Sequence, residues 1–183
     1  MRTIVQDHQA PLRGLYQETP SLAIVTDHAR ACGANLADPF HSTVEPMDSC
    51  GVSVPVGVHR AVGGLHDAPT PGDFLCAALA ACQDSAVRMV ANRLGIEILA
   101  LEVRVTAQVN VRGVLGMEAN VPVGFQSMTC DINLRVKQGT PSKLLESLRI
   151  AALRCCVVQQ MLHNPPPVKT RFSSQPVETG EMQ

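Results

Sequence analysis

Two stretches of strict alternation and two longer runs at helical spacing organise the chain. Between Leu101 and Arg112, Leu101, Val103, Val105, Ala107, Val109 and Val111 share one face; Glu102, Arg104, Thr106, Gln108, Asn110 and Arg112 share the other. Met128, Cys130, Ile132, Leu134 and Val136 repeat the pattern. Two-faced strands belong to a sheet with one side on the core and one in water, which favours antiparallel pairing. From Pro71 the period changes: Leu75, Leu79, Cys82, Ala86 and Met89 recur at steps of four and three, the stripe of a buried helix. Thr70 is placed to cap it, Pro71 suits its first turn, and Asp73 stands where a capping box needs an acceptor. The helix is predicted to run to Leu94 and stop at Gly95. A second helix starts at Thr140-Pro141 with Leu144, Leu148, Ala151, Cys155, Val158 and Leu162 on its stripe, and "HNPPPV" ends it in a strand-like exit.

The first 70 residues read as extended structure broken by turns. Ser21 to Ala31 is β-prone, Val52, Val54, Val56 and Val58 alternate as in a half-buried strand, and Gly63 to Pro71 is a loop. The expectation is a single domain over residues 1–183. It has a mainly β lobe at 1–70, a helix–strand–strand–helix–strand core at 71–172, and a polar tail at 173–183. That order predicts an α+β fold, antiparallel sheets packed on two long central helices. Both helices are too apolar to be covered on one side only, so an intertwined homodimer is expected.

Composition narrows the function. A net charge of -1 with 17% charged residues argues against nucleic acid or an acidic membrane surface as partner. No Trp, one Tyr and four Phe leave few rings for stacking bases. No 18 consecutive apolar residues occur, so no membrane span is expected. The N-terminus lacks the apolar run of a signal peptide, and seven cysteines in such a chain point to a cytoplasmic protein with reduced thiols. There is no CxxC, and His59, His66 and His163 have no ligand at i, i+4, so no metal site is expected.

The thiols are the remaining candidates for chemistry. Cys130 on an inward strand face and Cys76 read as packing, and Cys32 and Cys50 lie beside turns. Cys82 differs. A thiol that reduces peroxide attacks as thiolate and needs a second thiol that can approach to about 4.4–6.8 Å between Cα atoms. Cys155-Cys156 supplies one if the two helices pack side by side.

"PTPGDFLCAALAAC" followed by "VRMVANRLGIEI", and "CVVQQMLHNPPPV" further on, resemble the OsmC/organic hydroperoxide resistance family over roughly residues 51–172. The resemblance implies a two-cysteine peroxidase in which Cys82 attacks an organic hydroperoxide and Cys156, six residues before Leu162, resolves the product. It implies an external dithiol reductant (a lipoylated protein), a homodimer, and no metal or organic cofactor. Val157 stands where the family motif has proline. Gly72 stands where relatives with peroxidase chemistry carry a glutamate that orients an arginine. Asp73 next door is a candidate substitute or simply the helix cap, and Arg13, Arg30 and Arg60 are candidates for the arginine. Helical phase favours Cys155 as the buried thiol of the second helix, whereas the motif register favours Cys156. An OsmC-like scaffold that binds a small hydrophobic ligand without efficient peroxidase activity is the alternative reading.

Overall fold

The computed structural model describes residues 2–33, 35–47 and 50–174; the part of the expected tail from residue 175 on lies outside the described residues. The chain folds as helix α1 (Ile4–Glu18), strands β1 (Ala29–Cys32), β2 (Ser42–Pro46) and β3 (Val54–Val56), and helix α2 (Pro71–Leu94). Strand β4 (Ile98–Val109), the short helix α3 (Val111–Val114), strand β5 (Phe125–Val136), and helices α4 (Ser142–Cys155) and α5 (Val157–His163) complete it.

The central elements follow from the sequence signals. The Thr70 side chain accepts from the Asp73 backbone N–H, Asp73 accepts from the Thr70 backbone N–H, and Pro71 occupies the first turn. Gly95 takes up φ 71° and stops the helix. β4 and β5 pair antiparallel with Val103 opposite Ile132 and Val105 opposite Cys130. Their apolar faces pack against α2, and α4 and α5 cover α2 on another side. The core comprises Leu79, Ala86, Val87, Val90, Ala91, Ile96, Leu148, Ala152 and Cys156. Four of these nine are alanine or cysteine, small enough for helix backbones to approach closely, and their burial removes apolar surface from water at about 25 cal/mol per Å².

Several expectations are corrected. The N-terminal lobe is not mainly β: residues 4–18 form α1, despite Pro11 and Gly14 within it. Thr3 and Gln6 make a capping box at its start. Docking on α2 holds it, with the Val5 N–H donating to Asn92 Oδ1 at 3.0 Å and Gln6 Nε2 to the Arg93 carbonyl at 3.1 Å. In the β-prone segment Pro20–Ala23 is a 3-10 turn, and the strand proper is Ala29–Cys32. The valine alternation yields only Val54–Val56 as strand; Pro55 cannot donate to a ladder, and β3 sits at the edge of the β1-β2-β3 sheet. The proline-rich exit after α5 is irregular rather than a strand, because consecutive prolines offer no N–H to a neighbour. On α2 the buried line is Leu79, Gln83, Ala86, Val87, Val90 and Ala91, while Met89 is exposed. By length and mean hydropathy (1.3 over its most apolar window) α2 is sufficient to cross a membrane. It serves here as the central helix, with its core face on β4, α4 and α5.

Candidate functional site

The second helix breaks where the site forms. Cys156 leaves helical geometry at φ -77°, ψ 102°, ending α4 and starting α5. Its sulfur caps α5 by accepting from the Gln159 backbone N–H at 3.4 Å. The break occurs without the proline of the family motif, because the cap replaces the lost helical bonds. It also settles which neighbour is buried. Leu148, Ala152 and Cys156 recur at i, i+4, i+8 on the inner face, so Cys156 is fully buried and Cys155 is exposed. Helical phase, which placed Cys155 on the stripe, is corrected by one residue.

Cys156 meets Cys82. All seven cysteines are free thiols, and the Cys156 and Cys82 side chains interact across the α2–α5 contact. Burial, and then this contact, pushes the Cys156 thiol up to about 11, partly offset by the Gln159 N–H. Cys156 therefore holds its proton through neutral pH. Cys82 itself is half-buried.

The other thiols have no such arrangement. Burial, with the Asp73 charge adding to it, pushes Cys76 up; burial and then Asp131 do the same for Cys130. Both disfavour thiolate and suit packing. Cys32 and Cys50 are exposed, and the Cys50 S–H donates to the Pro46 carbonyl at 3.1 Å.

Asp73 is occupied by its helix. Its Oδ2 accepts from both the N–H and the hydroxyl of Thr70 at 2.8 Å, and these bonds, the backbone one foremost, hold its carboxyl below the ordinary range. Cys82 lies nine residues further on, about 13 Å along the helix axis. At Gly72 an added Cβ would meet Phe125 Cζ at 3.0 Å, so the Phe125 ring closes over the place where the resemblance puts a glutamate. Among the three candidate arginines, Arg30 pairs with Glu45 at 2.9 Å, Arg60 donates to the Leu65 carbonyl, and Arg13 faces Arg93 at the far end of α2.

Two glutamines complete the site and carried no sequence expectation. Gln83, fully buried beside Cys82, donates through Nε2 to Gln159 Oε1 and so ties α2 to α5. Its own Oε1 accepts no hydrogen bond among the described residues. A buried amide without a partner costs about 1–3 kcal/mol. The available signal was a glutamine at i, i+4 from Leu79 in an otherwise small and apolar stretch. Gln159 also lines a cavity of about 610 Å³ walled by Leu75, Leu79, Phe125, Met128 and Leu162.

Comparison with known proteins agrees with this architecture. The family described as OsmC-like protein matches residues 64–171. The chain belongs to that family. An OsmC-like protein from Mycoplasma pneumoniae superposes with a TM-score of 0.60 at 13% identity, covering 77% of this chain and 89% of its own. An organic hydroperoxide resistance protein OsmC from Legionella pneumophila gives 0.55 at 22% identity, covering 77% and 91%. One from Elizabethkingia anophelis gives 0.56 at 19%, covering 78% and 91%. These likenesses establish the α+β fold of the OsmC-like chain. No curated protein matches it in sequence.

Proposed function

We propose that this OsmC-like protein reduces organic hydroperoxides with Cys82 as attacking thiol and Cys156 as resolving thiol. The observation that carries the reading is the side-chain interaction of these two thiols, brought together by neighbouring helices. The Cys82 thiolate attacks the outer oxygen of ROOH. The O–O bond breaks, the alkoxide leaves and takes up a proton as ROH, and Cys82 becomes a sulfenic acid. The Cys156 sulfur then bonds to Cys82 and water leaves. An external dithiol of the lipoyl type reduces the disulfide by two exchanges and is itself oxidised. The cavity beside Gln159 supplies an apolar surface for the R group. Structural relatives named for organic hydroperoxide resistance lend the substrate class.

The working unit in this reading is a homodimer. Strand β1 is exposed along its length, β2 and β3 are largely half-buried, and Ile24 (80%), Val25 (76%) and Val168 (88%) lie open to solvent, apolar surface that a second copy is suited to cover.

A second reading is favoured by Asp73 being spent on its cap and by Gly72 lying under Phe125. In it the scaffold binds a small apolar ligand in the same cavity and turns over no peroxide. Treating the protein with cumene hydroperoxide, mapping cysteine links by mass spectrometry and measuring turnover with dihydrolipoamide separates the two. A Cys82–Cys156 link with sustained turnover supports the peroxidase. Reduced thiols after peroxide exposure refute it and leave the binder.

A further inference from the structure

The end of α2 remote from the thiols carries a second feature, shared with a part of the chain outside the family match. Arg2, Arg13 and Arg93 line one cavity of about 620 Å³, together with Gln6, Gln9 and Ala10. Arg93 lies about 16 Å along the helix axis from Cys82. Its opposite wall is α1, which precedes the family-matched residues 64–171. No carboxylate lines the cavity.

Elsewhere five arginines, Arg30, Arg88, Arg104, Arg112 and Arg149, each pair with a carboxylate. Among the described residues Arg2, Arg13 and Arg93 have none. Three like charges around one concavity repel one another, and a bound counter-charge, which the surrounding chain does not supply, would relieve that repulsion. Helix capping does not account for them either. At the end of α2 the Ala91 and Asn92 carbonyls accept from the Gly95 N–H, and the Arg93 carbonyl accepts from Gln6.

The wall is built rather than incidental. Gln6, Gln9 and Arg13 recur at steps of three and four and so share one face of α1, with Arg2 just before its cap. The bonds from Val5 and Gln6 to Asn92 and Arg93 fix that face against α2. Gln6 to Arg13 spans about 10 Å along the axis, with Arg93 across the gap. A guanidinium fork matches phosphate oxygens two at a time, and several forks around one space suit a ligand with more than one anionic group.

We propose that this cavity is a binding site for a small polyanion of the phosphoanhydride class. The site is independent of the thiol pair. Isothermal titration of the full chain with pyrophosphate at low salt tests it. Saturable binding is expected, tighter than that of orthophosphate and weakened by added salt. Arg13→Gln and Arg93→Gln are each expected to weaken it by roughly ten-fold or more, while Arg135→Gln, the same charge change on an exposed strand position, leaves it intact. Arg13 is exposed on α1, so its variant keeps the test valid if Arg93→Gln fails to fold. Absence of saturable binding, affinity unchanged in Arg13→Gln, or equal loss in Arg135→Gln overturns the proposal.

Discussion

Residues 71–163 and residues 2–62 make opposite use of their apolar side chains. Among the described residues every buried core hydrophobic lies between Leu79 and Cys156, on or beside helices that face one another and the β4–β5 sheet. The N-terminal region has open apolar side chains such as Ile4, Leu22, Ile24 and Val25, and its strand β1 is exposed along its whole length. The first region is held by packing. The second is held by polar ties: Asn92 and Gln6 fasten α1, and His41 bridges Asp38 at 2.8 Å and Asp67 at 3.0 Å. Cys82 and Cys156, the thiols of the proposed reaction, lie where packing is tight, since two thiols are kept in register by elements that do not shift.

The sharpest way to break this contrast is at the thiols. Cys82→Ser is expected to lower cumene hydroperoxide turnover with dihydrolipoamide by roughly three orders of magnitude or more. Cys156→Ser is expected to consume about one equivalent per chain and then stall, whereas Cys155→Ser, altering an exposed position, continues to cycle. If Cys155→Ser stalls and Cys156→Ser cycles, burial is not what selects the resolving thiol.

Packing comes next. Leu148→Ala in the core is expected to cost about 2–5 kcal/mol in urea unfolding. Val25→Ala in the N-terminal region is expected to change monomer stability by about 0.5 kcal/mol or less, and to appear instead as a weaker dimer in sedimentation. Comparable losses of monomer stability at both positions would erase the distinction.

Smaller effects follow from protons. Cys156 is pushed up to about 11 from an ordinary 9.0, so the folded state keeps a proton that the unfolded chain releases. Its contribution to stability is complete below about pH 9 and is lost as pH rises through about 11, a slope that chemical unfolding should register and Cys156→Ser should lack. The smallest effect belongs to His41. Its hydrogen bonds to Asp38 and then to Asp67 raise it above 6.5, and it in turn helps hold both carboxyls below 3.8. The histidine's share is present below pH 6.5 and is lost as pH rises through its raised value. The aspartates' share is present above pH 3.8 and is lost as pH falls through their lowered values. Amide exchange at residues 42–46 should quicken as His41 deprotonates, and His41→Ala should remove that dependence.

What could be read from the sequence divides along the same line. Thr70, Asp73 and Gly95 marked the bounds of α2 because capping is local, and alternation located β4 and β5 because one face of each packs and the other does not. α1 was hidden because Pro11 and Gly14 disfavour a helix locally, while the contacts that offset them come from Asn92 and Arg93. Residues 21–31 and 51–62 carried β-propensity without a core face, and most of that propensity went unused. At the site, the resemblance of two motifs singled out Cys82 and Cys156, which the fold brings near each other. The Gln83–Gln159 tie was not legible, since it joins residues 76 positions apart and neither glutamine has a spacing that announces the other.

The sulfur of Cys156 has an architectural duty besides the chemical one proposed for it, because it begins α5 by receiving the Gln159 N–H. Serine at this position can go on receiving that N–H but has no redox chemistry, whereas alanine forfeits both. The gap in folding stability between the two replacements, expected near 1 kcal/mol, therefore measures the atom as masonry. Failure of both to recycle, the outcome the proposed reaction requires, measures it as reagent.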